Sequence, residues 1–260
     1  LLLLFSWFGC QKQSQLQEVT TLFEAIPSTH SKITFNNTVK ENLYFNFLNY
    51  SYIYNGGGVS VGDINNDGLE DIYFTSNQNS NKLYLNQGDF KFTDITNNAN
   101  VADTNGWTTG VSMIDINNDG WLDIYVCKSG SLNNHDDRKN KLFINQRDNT
   151  FKEEAGKYGL DHYGFGVQSY FFDADNDGDL DMYLVNHRPD FRKNITVDLQ
   201  DQKIIQDYSS DQLFRNDNGK FTNITKEAGV ENKAWGLSAA IGDFNQDGWL
   251  DIYVANDFLQ

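Results

Sequence analysis

The stretch DINNDGLED, residues 63 to 71, sets oxygen-bearing side chains at alternate positions around a glycine: Asp63, Asn65, Asp67 and Asp71. The same nine-residue grammar returns as DINNDGWLD (115–123), DADNDGDLD (173–181) and DFNQDGWLD (243–251). Each copy follows a short run rich in Gly and apolar residues (GVSVG, GVSMI, QSYFF, SAAIG) and precedes a β-prone run (IYF, IYV, MYL, IYV). A glycine-led turn between two such runs predicts a hairpin.

A second block lies downstream of the first three loops: NKLYLNQGDFKFTDIT (81–96), NKLFINQRDNTFKEEA (140–155) and DQLFRNDNGKFTNIT (211–225). It reads as another hairpin, with turns at QGD, QRDN and DNG, so each period holds four strands. Four-stranded units recurring every ~50 to 70 residues predict an all-β fold, a β-propeller of four-stranded blades. The fourth unit stops after its first hairpin. The sequence therefore holds about three and a half blades, and residues 33–260 are expected to be the N-terminal part of a ring completed at about seven or eight blades in a longer protein. Residues 33–54 are also strand-prone and are expected in the blade that closes the ring.

Composition agrees with that architecture. Of 260 residues, 39% are hydrophobic and 14% aromatic, ample for a packed core. Two prolines against 21 glycines suit many short strands joined by tight turns. The formal charge of -16 lacks the basic footprint of a phosphate-backbone binder, so nucleic acid is not an expected partner. Four bound divalent cations would cancel about half of that charge.

A hard divalent cation takes about six to eight oxygen ligands in a flexible shell. Side chains at loop positions 1, 3 and 5 converge when the glycine at position 6 allows a sharp turn. Position 7 then offers its backbone carbonyl, and the Asp at position 9 closes the shell. The candidate ligands are Asp63, Asn65, Asp67, Leu69 and Asp71 in the first loop, and Asp115, Asn117, Asp119, Trp121 and Asp123 in the second. The third offers Asp173, Asp175, Asp177, Asp179 and Asp181; the fourth offers Asp243, Asn245, Asp247, Trp249 and Asp251. An all-oxygen shell favours Ca2+ over zinc or copper. The first six positions overlap the EF-hand template, but that motif closes with Glu at position 12 between helices, whereas here Asp closes at position 9 between strands. The bland alternative is a set of solvated acidic turns.

With these loops, the GVSVGD-type lead-in, the IYV follow-on and the LYLN…FTDIT block, the sequence resembles FG-GAP/VCBS-type repeats over roughly residues 56 to 260. The resemblance implies a calcium-binding β-propeller. It extends to surface lipoproteins of Bacteroidota that carry such repeats ahead of an ASPIC/UnbV segment, although no such segment lies in this sequence. Cys10 follows LLLLFSWFG, which is similar to the clipped end of a bacterial lipoprotein signal peptide. On that resemblance residues 1–9 are the end of the signal, Cys10 is the lipidated first mature residue and residues 10–32 form a tether. A truncated ordinary signal or a buried apolar segment is the alternative; the run is too short to span a bilayer. Cys127, in an apolar YVC run, reads as a buried small hydrophobe.

Strands in a blade alternate in direction, so the first-to-second and third-to-fourth turns share one face of the disc. Second-to-third connections lie opposite, and they lengthen along the chain: Asp71 to Leu83, Asp123 to Leu142, Asp181 to Leu213. That face is where loops can carry function on a rigid scaffold. These insertions hold Lys128, Arg138 and Lys139, then Arg188, Arg192 and Lys193, either a site for an anionic partner such as an acidic polysaccharide or solvated loop charges. Trp107, Phe165 and Trp235 recur eight residues before three of the loops, with Asn55 at the equivalent place in the first repeat. They would stack on sugar rings or serve as packing wedges between blades.

GVSVG matches the G-x-S-x-G nucleophile elbow, but an acidic loop follows where a helix is required, so Ser60 reads as an inner-strand residue. His30, His135, His162 and His187 lack triad or ligand spacing. The leading expectation is a calcium-stabilised, cell-surface binding module for an extracellular glycan or protein, held to a membrane by a lipid anchor at Cys10. A calcium-dependent hydrolase or lyase acting on polysaccharide or lipid is one alternative, and a spacer presenting a C-terminal domain is another.

Overall fold

The computed structural model describes residues 22–43, 45–130, 134–187 and 208–257. Strands β1 (Val59–Gly62), β2 (Asp71–Phe74), β3 (Lys82–Asn86) and β4 (Phe92–Asp94) form one antiparallel sheet in chain order. The next is β5 (Trp107–Ile114), β6 (Asp123–Ser129), β7 (Lys141–Asn145) and β8 (Phe151–Glu153), and the third is β9 (Gly166–Phe172), β10 (Asp181–Asn186), β11 (Gln212–Asn216) and β12 (Phe221–Asn223). A two-stranded unit, β13 (Gly236–Gly242) and β14 (Asp251–Asn256), follows. These are the blades of a β-propeller, and each acidic loop joins the first strand of a unit to its second.

The blades stack face to face. Tyr73 and Leu83 of the first blade pack with Val111, Ile124, Val126 and Phe143 of the second. On its other face the second presents Tyr125, Leu142 and Ile144 to Met182, Leu184 and Phe214 of the third. Because a middle strand is covered on both sides, β6 and β10 are buried along their whole length, which is why YVC and YLV read as unbroken apolar runs rather than alternating ones. Burial pushes the Cys127 thiol in β6 up to about 12, so it stays a protonated core group.

Inner strands β1, β5, β9 and β13 lie side by side and are stitched by polar bonds. Met113 N donates to Ser60 Oγ at 3.1 Å, Ser112 Oγ meets Ser169 Oγ at 3.0 Å, and Ala239 N donates to the Tyr170 hydroxyl at 2.9 Å. Ser60 is thus a strand residue bonded to the next blade, as the sequence predicts. Gly110 shows why β5 needs glycine beside the next inner strand: a Cβ there would lie 1.9 Å from Gln168 Oε1 and 2.4 Å from the Val167 carbonyl.

A repeated polar device locks the second strand to the third. Asn81 and Asn140 each donate from Nδ2 to the tyrosine hydroxyl of the second strand, Tyr73 at 3.1 Å and Tyr125 at 2.9 Å. Their Oδ1 atoms accept from Ser76 N and Lys128 N at 2.8 Å. In the third blade Asp211 takes this place, accepting from Tyr183 Oη at 3.0 Å and Asn186 N at 2.7 Å.

Residues 33–54 depart from expectation, because among the described residues before β1 there is no strand. Residues 33–40 run over the first blade, held by side chains rather than a backbone ladder. The Phe35 ring stacks on Phe74 at 4.9 Å, Asn37 Nδ2 donates to Asn77 Oδ1 at 2.6 Å, and Lys40 N donates to Gln78 Oε1 at 2.7 Å. The following residues coil through turns that bury Tyr50 and Ile53 against Trp107.

Candidate functional site

The four acidic loops share one hydrogen-bonding scheme. The position 1 carboxylate accepts from the amides of positions 5 and 6: Asp63 from Asp67 N (3.2 Å) and Gly68 N (2.7 Å), Asp115 from Asp119 N (2.9 Å) and Gly120 N (2.7 Å). Asp173 and Asp243 do the same with Asp177 and Gly178, and with Asp247 and Gly248. Position 5 accepts from the amide of position 7, as Asp67 from Leu69, Asp119 from Trp121, Asp177 from Asp179 and Asp247 from Trp249.

Two left-handed residues make that coil possible. Position 4 has φ of 54° to 63° (Asn66, Asn118, Asn176, Gln246) and the position 6 glycine has φ of 85° to 95°. Nothing lies within 4 Å of a Cβ built on any of the four glycines, so backbone conformation, not space, selects glycine there.

In the third loop the carboxylates of Asp173, Asp175 and Asp177 come within 4.8 Å of one another and could hold a metal ion. The other loops carry Asn at position 3, whose amide oxygen is a neutral donor in the same place. Asn65, Asn117 and Asn245 Oδ1 already face inward far enough to accept the amide of position 5 at 2.9 to 3.2 Å. Every side chain in this donor set offers oxygen, which fits a hard cation.

Position 9 has a second task. Asp71, Asp123 and Asp181 are buried, with one oxygen accepting the amide of position 2 and the other the amide of an asparagine ending the third strand. Burial raises Asp71 to about 6 and Asp123 to about 7, and it raises Asp181 as well. These carboxylates therefore anchor each loop to its blade.

The turn between third and fourth strands joins the same face. Arg147 Nη2 lies 3.0 Å from Asp119 Oδ2, and Asn218 N donates to Asp179 Oδ2 at 3.2 Å. Adjacent loops also touch, since Asn66 Nδ2 donates to the Gly120 carbonyl at 3.0 Å.

At the opposite end of the inner strands lies a cavity of about 260 Å³. Tyr50, Tyr52 and His187 frame it together with Trp107, Gln168 and Tyr170, and Gly56, Gly57, Gly58 and Gly110 supply bare backbone. Tyr50 Oη lies 3.2 Å from His187 Nε2 and 3.3 Å from Ser129 Oγ, and burial pulls the His187 imidazole down to about 3. That ring is neutral at physiological pH.

The predicted aromatic residues divide. Trp107 is buried and lines the cavity; Phe165 is buried elsewhere, beneath the Arg138 guanidinium at 4.5 Å; Trp235 is half-buried. Trp107 and Phe165 both pack inside the protein, and of the two only Trp107 lines the cavity. In the first basic cluster two members are buried and the third makes an exposed pair. Lys128 is buried with Asp103 at 2.8 Å, Arg138 is buried on Phe165, and Lys139 pairs with Asp136 at 2.9 Å. Cys10, Arg188, Arg192 and Lys193 lie outside the described residues. Sequence reasoning missed Tyr50, Tyr52, His187 and Gln168, because only Gln168 falls in a repeated run and the four meet only where blades converge.

Residues 49–126 and 200–254, just over half of the chain, match the FG-GAP-like repeat family. The chain belongs to this family. Its third acidic loop falls between the two matched segments yet keeps the bonding of the FG-GAP loops on either side. The FG-GAP chain is also similar to cartilage acidic protein 1 of Homo sapiens, 27% identical over 208 residues, which is 78% of this chain and 28% of that protein. The Xenopus tropicalis protein of the same name is 39% identical over 72 residues, covering 27% of this chain and 11% of that protein. The Mus musculus one is 39% identical over 69 residues, covering 26% and 11%. The chain thus spans less than a third of the length of the curated relatives it matches. Among the described residues no helix is long and apolar enough to cross a membrane.

Proposed function

We propose that this chain is a calcium-stabilised β-propeller binding module of an extracytoplasmic, cell-surface lipoprotein anchored at Cys10, with a glycan or protein as its ligand. The observation that carries the calcium reading is the convergence of Asp173, Asp175 and Asp177 within 4.8 Å, in a loop whose backbone bonding recurs in three others. In each loop, positions 1, 3 and 5 would hold Ca2+, and the position 7 carbonyl and position 9 Asp would complete the shell. Bound there, the ion would supply positive charge to the clustered carboxylates and fix the hairpin. The loops occupy the face opposite the axial cavity, which separates scaffold from binding surface.

Thermal unfolding of the full-length protein in calcium and in chelator tests the reading. At a hundredfold excess over its Kd each occupied site adds about 2.7 kcal/mol, so melting should rise by several degrees. An unchanged melting temperature would overturn the calcium assignment.

A further inference from the structure

We propose that the axial cavity between the inner strands is a binding site for an uncharged sugar residue. The inference rests on the binding-module reading above and adds to it a place and a ligand class.

Charge is the first argument. The chain has 22% charged residues and a formal charge of -16, yet among the described residues none of those lining the cavity is Asp, Glu, Lys or Arg. Asp257 accepts from Tyr52 Oη at 3.2 Å from outside the lining. His187 is neutral, and its buried environment holds it so. An anionic or cationic ligand would lose its hydration with no counter-charge to replace it.

Chemistry of the walls is the second. The lining combines the aromatic residues Tyr50, Tyr52, Trp107 and Tyr170 with the polar Asn55, Thr109 and Gln168, a mixture that suits a pyranose with its C–H faces and hydroxyls. Tyr52 and His187 rings lie 4.9 Å apart and tilted at 53°, while Tyr50 meets Trp107 edge-on at 5.8 Å, so the aromatic wall is braced before any ligand arrives. Gln168 provides an amide whose present bonds, from Nε2 to Val111 O, Ser112 Oγ and Ser169 O, are all 3.2 to 3.3 Å long. Such long bonds are readily exchanged for shorter ones to a hydroxyl. Gly56 has open space beside its backbone, and the volume of about 260 Å³ suits one ring rather than a chain of them.

The place is the third. The cavity opens on the face away from the acidic loops, at the point where all four inner strands start, and its framing residues come from four separate units. Occupancy there would bridge blades without disturbing a metal loop.

The test uses the calcium-loaded full-length protein with methyl glycosides of glucose, galactose, mannose and xylose, and methyl galacturonoside as the charged control, read by saturation-transfer NMR and calorimetry. The expected result is saturable binding of at least one neutral glycoside, weakened tenfold or more in Tyr52→Ala and in Gln168→Ala, with no binding of the uronoside. Melting temperature reports whether each variant is folded, and Gln168→Ala decides if Tyr52→Ala is not. Binding that survives both substitutions overturns the axial site while leaving a glycan-binding module with its site elsewhere. No binding of any neutral glycoside, or equal binding of the uronoside, overturns the ligand class; the calcium-dependent melting shift separately decides the module's scaffold.

Discussion

The main-chain N–H of Asn86 donates to Asp71 Oδ1 at 2.7 Å, tying the end of a blade's third strand to the last residue of its acidic loop. The same bond joins Asn145 to Asp123 at 2.8 Å and Asn216 to Asp181 at 2.7 Å. Each asparagine then returns its Nδ2 to the carbonyl of loop position 8, Glu70, Leu122 or Leu180. The loop and the second hairpin are therefore one mechanical unit, which explains why the NQ or ND pair recurs at fixed places in the second sequence block.

Asp123→Ala should be costly even without metal. It strands the buried amides of Ile116 and Asn145, and each unsatisfied donor costs about 1 to 3 kcal/mol. A loss of about 2 to 5 kcal/mol in urea unfolding under chelator is expected. Asp67→Ala, at an exposed position of the first loop, should lose less under the same conditions. Equal losses would show that the buried anchor has no special weight.

Two glycines should fail for different reasons. Gly120 sits at φ 85° in open space, so Gly120→Ala meets only the left-handed penalty of about 1 to 2 kcal/mol, and Gly120→Asn meets less of it. Gly110→Ala forces a methyl into Gln168 and the Val167 carbonyl across the blade interface. The order of midpoints in denaturant should be wild type, Gly120→Asn, Gly120→Ala, then Gly110→Ala as the least stable.

Asp211 does with a carboxylate what Asn81 and Asn140 do with an amide, and burial lifts it to about 6. A folded-state value above the unfolded one of about 3.9 means that ionisation opposes folding. The wild type accordingly loses stability as pH climbs from about 4 to about 6, and the loss is complete above that. Asp211→Asn has no such term. The difference between variant and wild type should move in the variant's favour by about 2 to 3 kcal/mol between pH 4 and pH 7.5, measured by urea unfolding in saturating calcium. A difference that is flat with pH would mean that Asp211 ionises as freely folded as unfolded.

Most of the fold was legible because it repeats. Glycine at loop position 6, alternating oxygens and the tyrosine of IYF, IYV and MYL recur in register, so local chemistry announces the hairpins and their shared face. Residues 33–54 misled because aromatic and β-branched residues signal burial as well as strand, and here Phe35, Tyr50 and Ile53 are buried by packing without a ladder. Lys128 was illegible for a related reason: sequence places it in an insertion but cannot show Asp103 folding over it. The axial cavity was illegible because Tyr52, Gln168 and His187 come from different units and share no spacing. Only the packing of successive blades side by side brings them together.

Arg147 gives the second loop a feature its siblings lack. Its guanidinium, largely exposed, bridges to Asp119 Oδ2 at 3.0 Å, so a cation entering this loop must compete with it. An exposed pair of this kind is worth about 0.2 to 1 kcal/mol, which converts to a gain of up to about fivefold in the loop's cation affinity when the arginine is removed. Terbium, a luminescent substitute for Ca2+, reports on the loop directly, because Trp121 occupies position 7 and can sensitise it. In a Trp249→Phe background, which silences the fourth loop, Arg147→Gln should shift the Trp121-sensitised titration to lower terbium concentration. In the complementary Trp121→Phe background the Trp249 titration should not move. A shift in both would point to a general change in surface charge, and a shift in neither would mean that the Arg147 bridge yields to the ion at no cost.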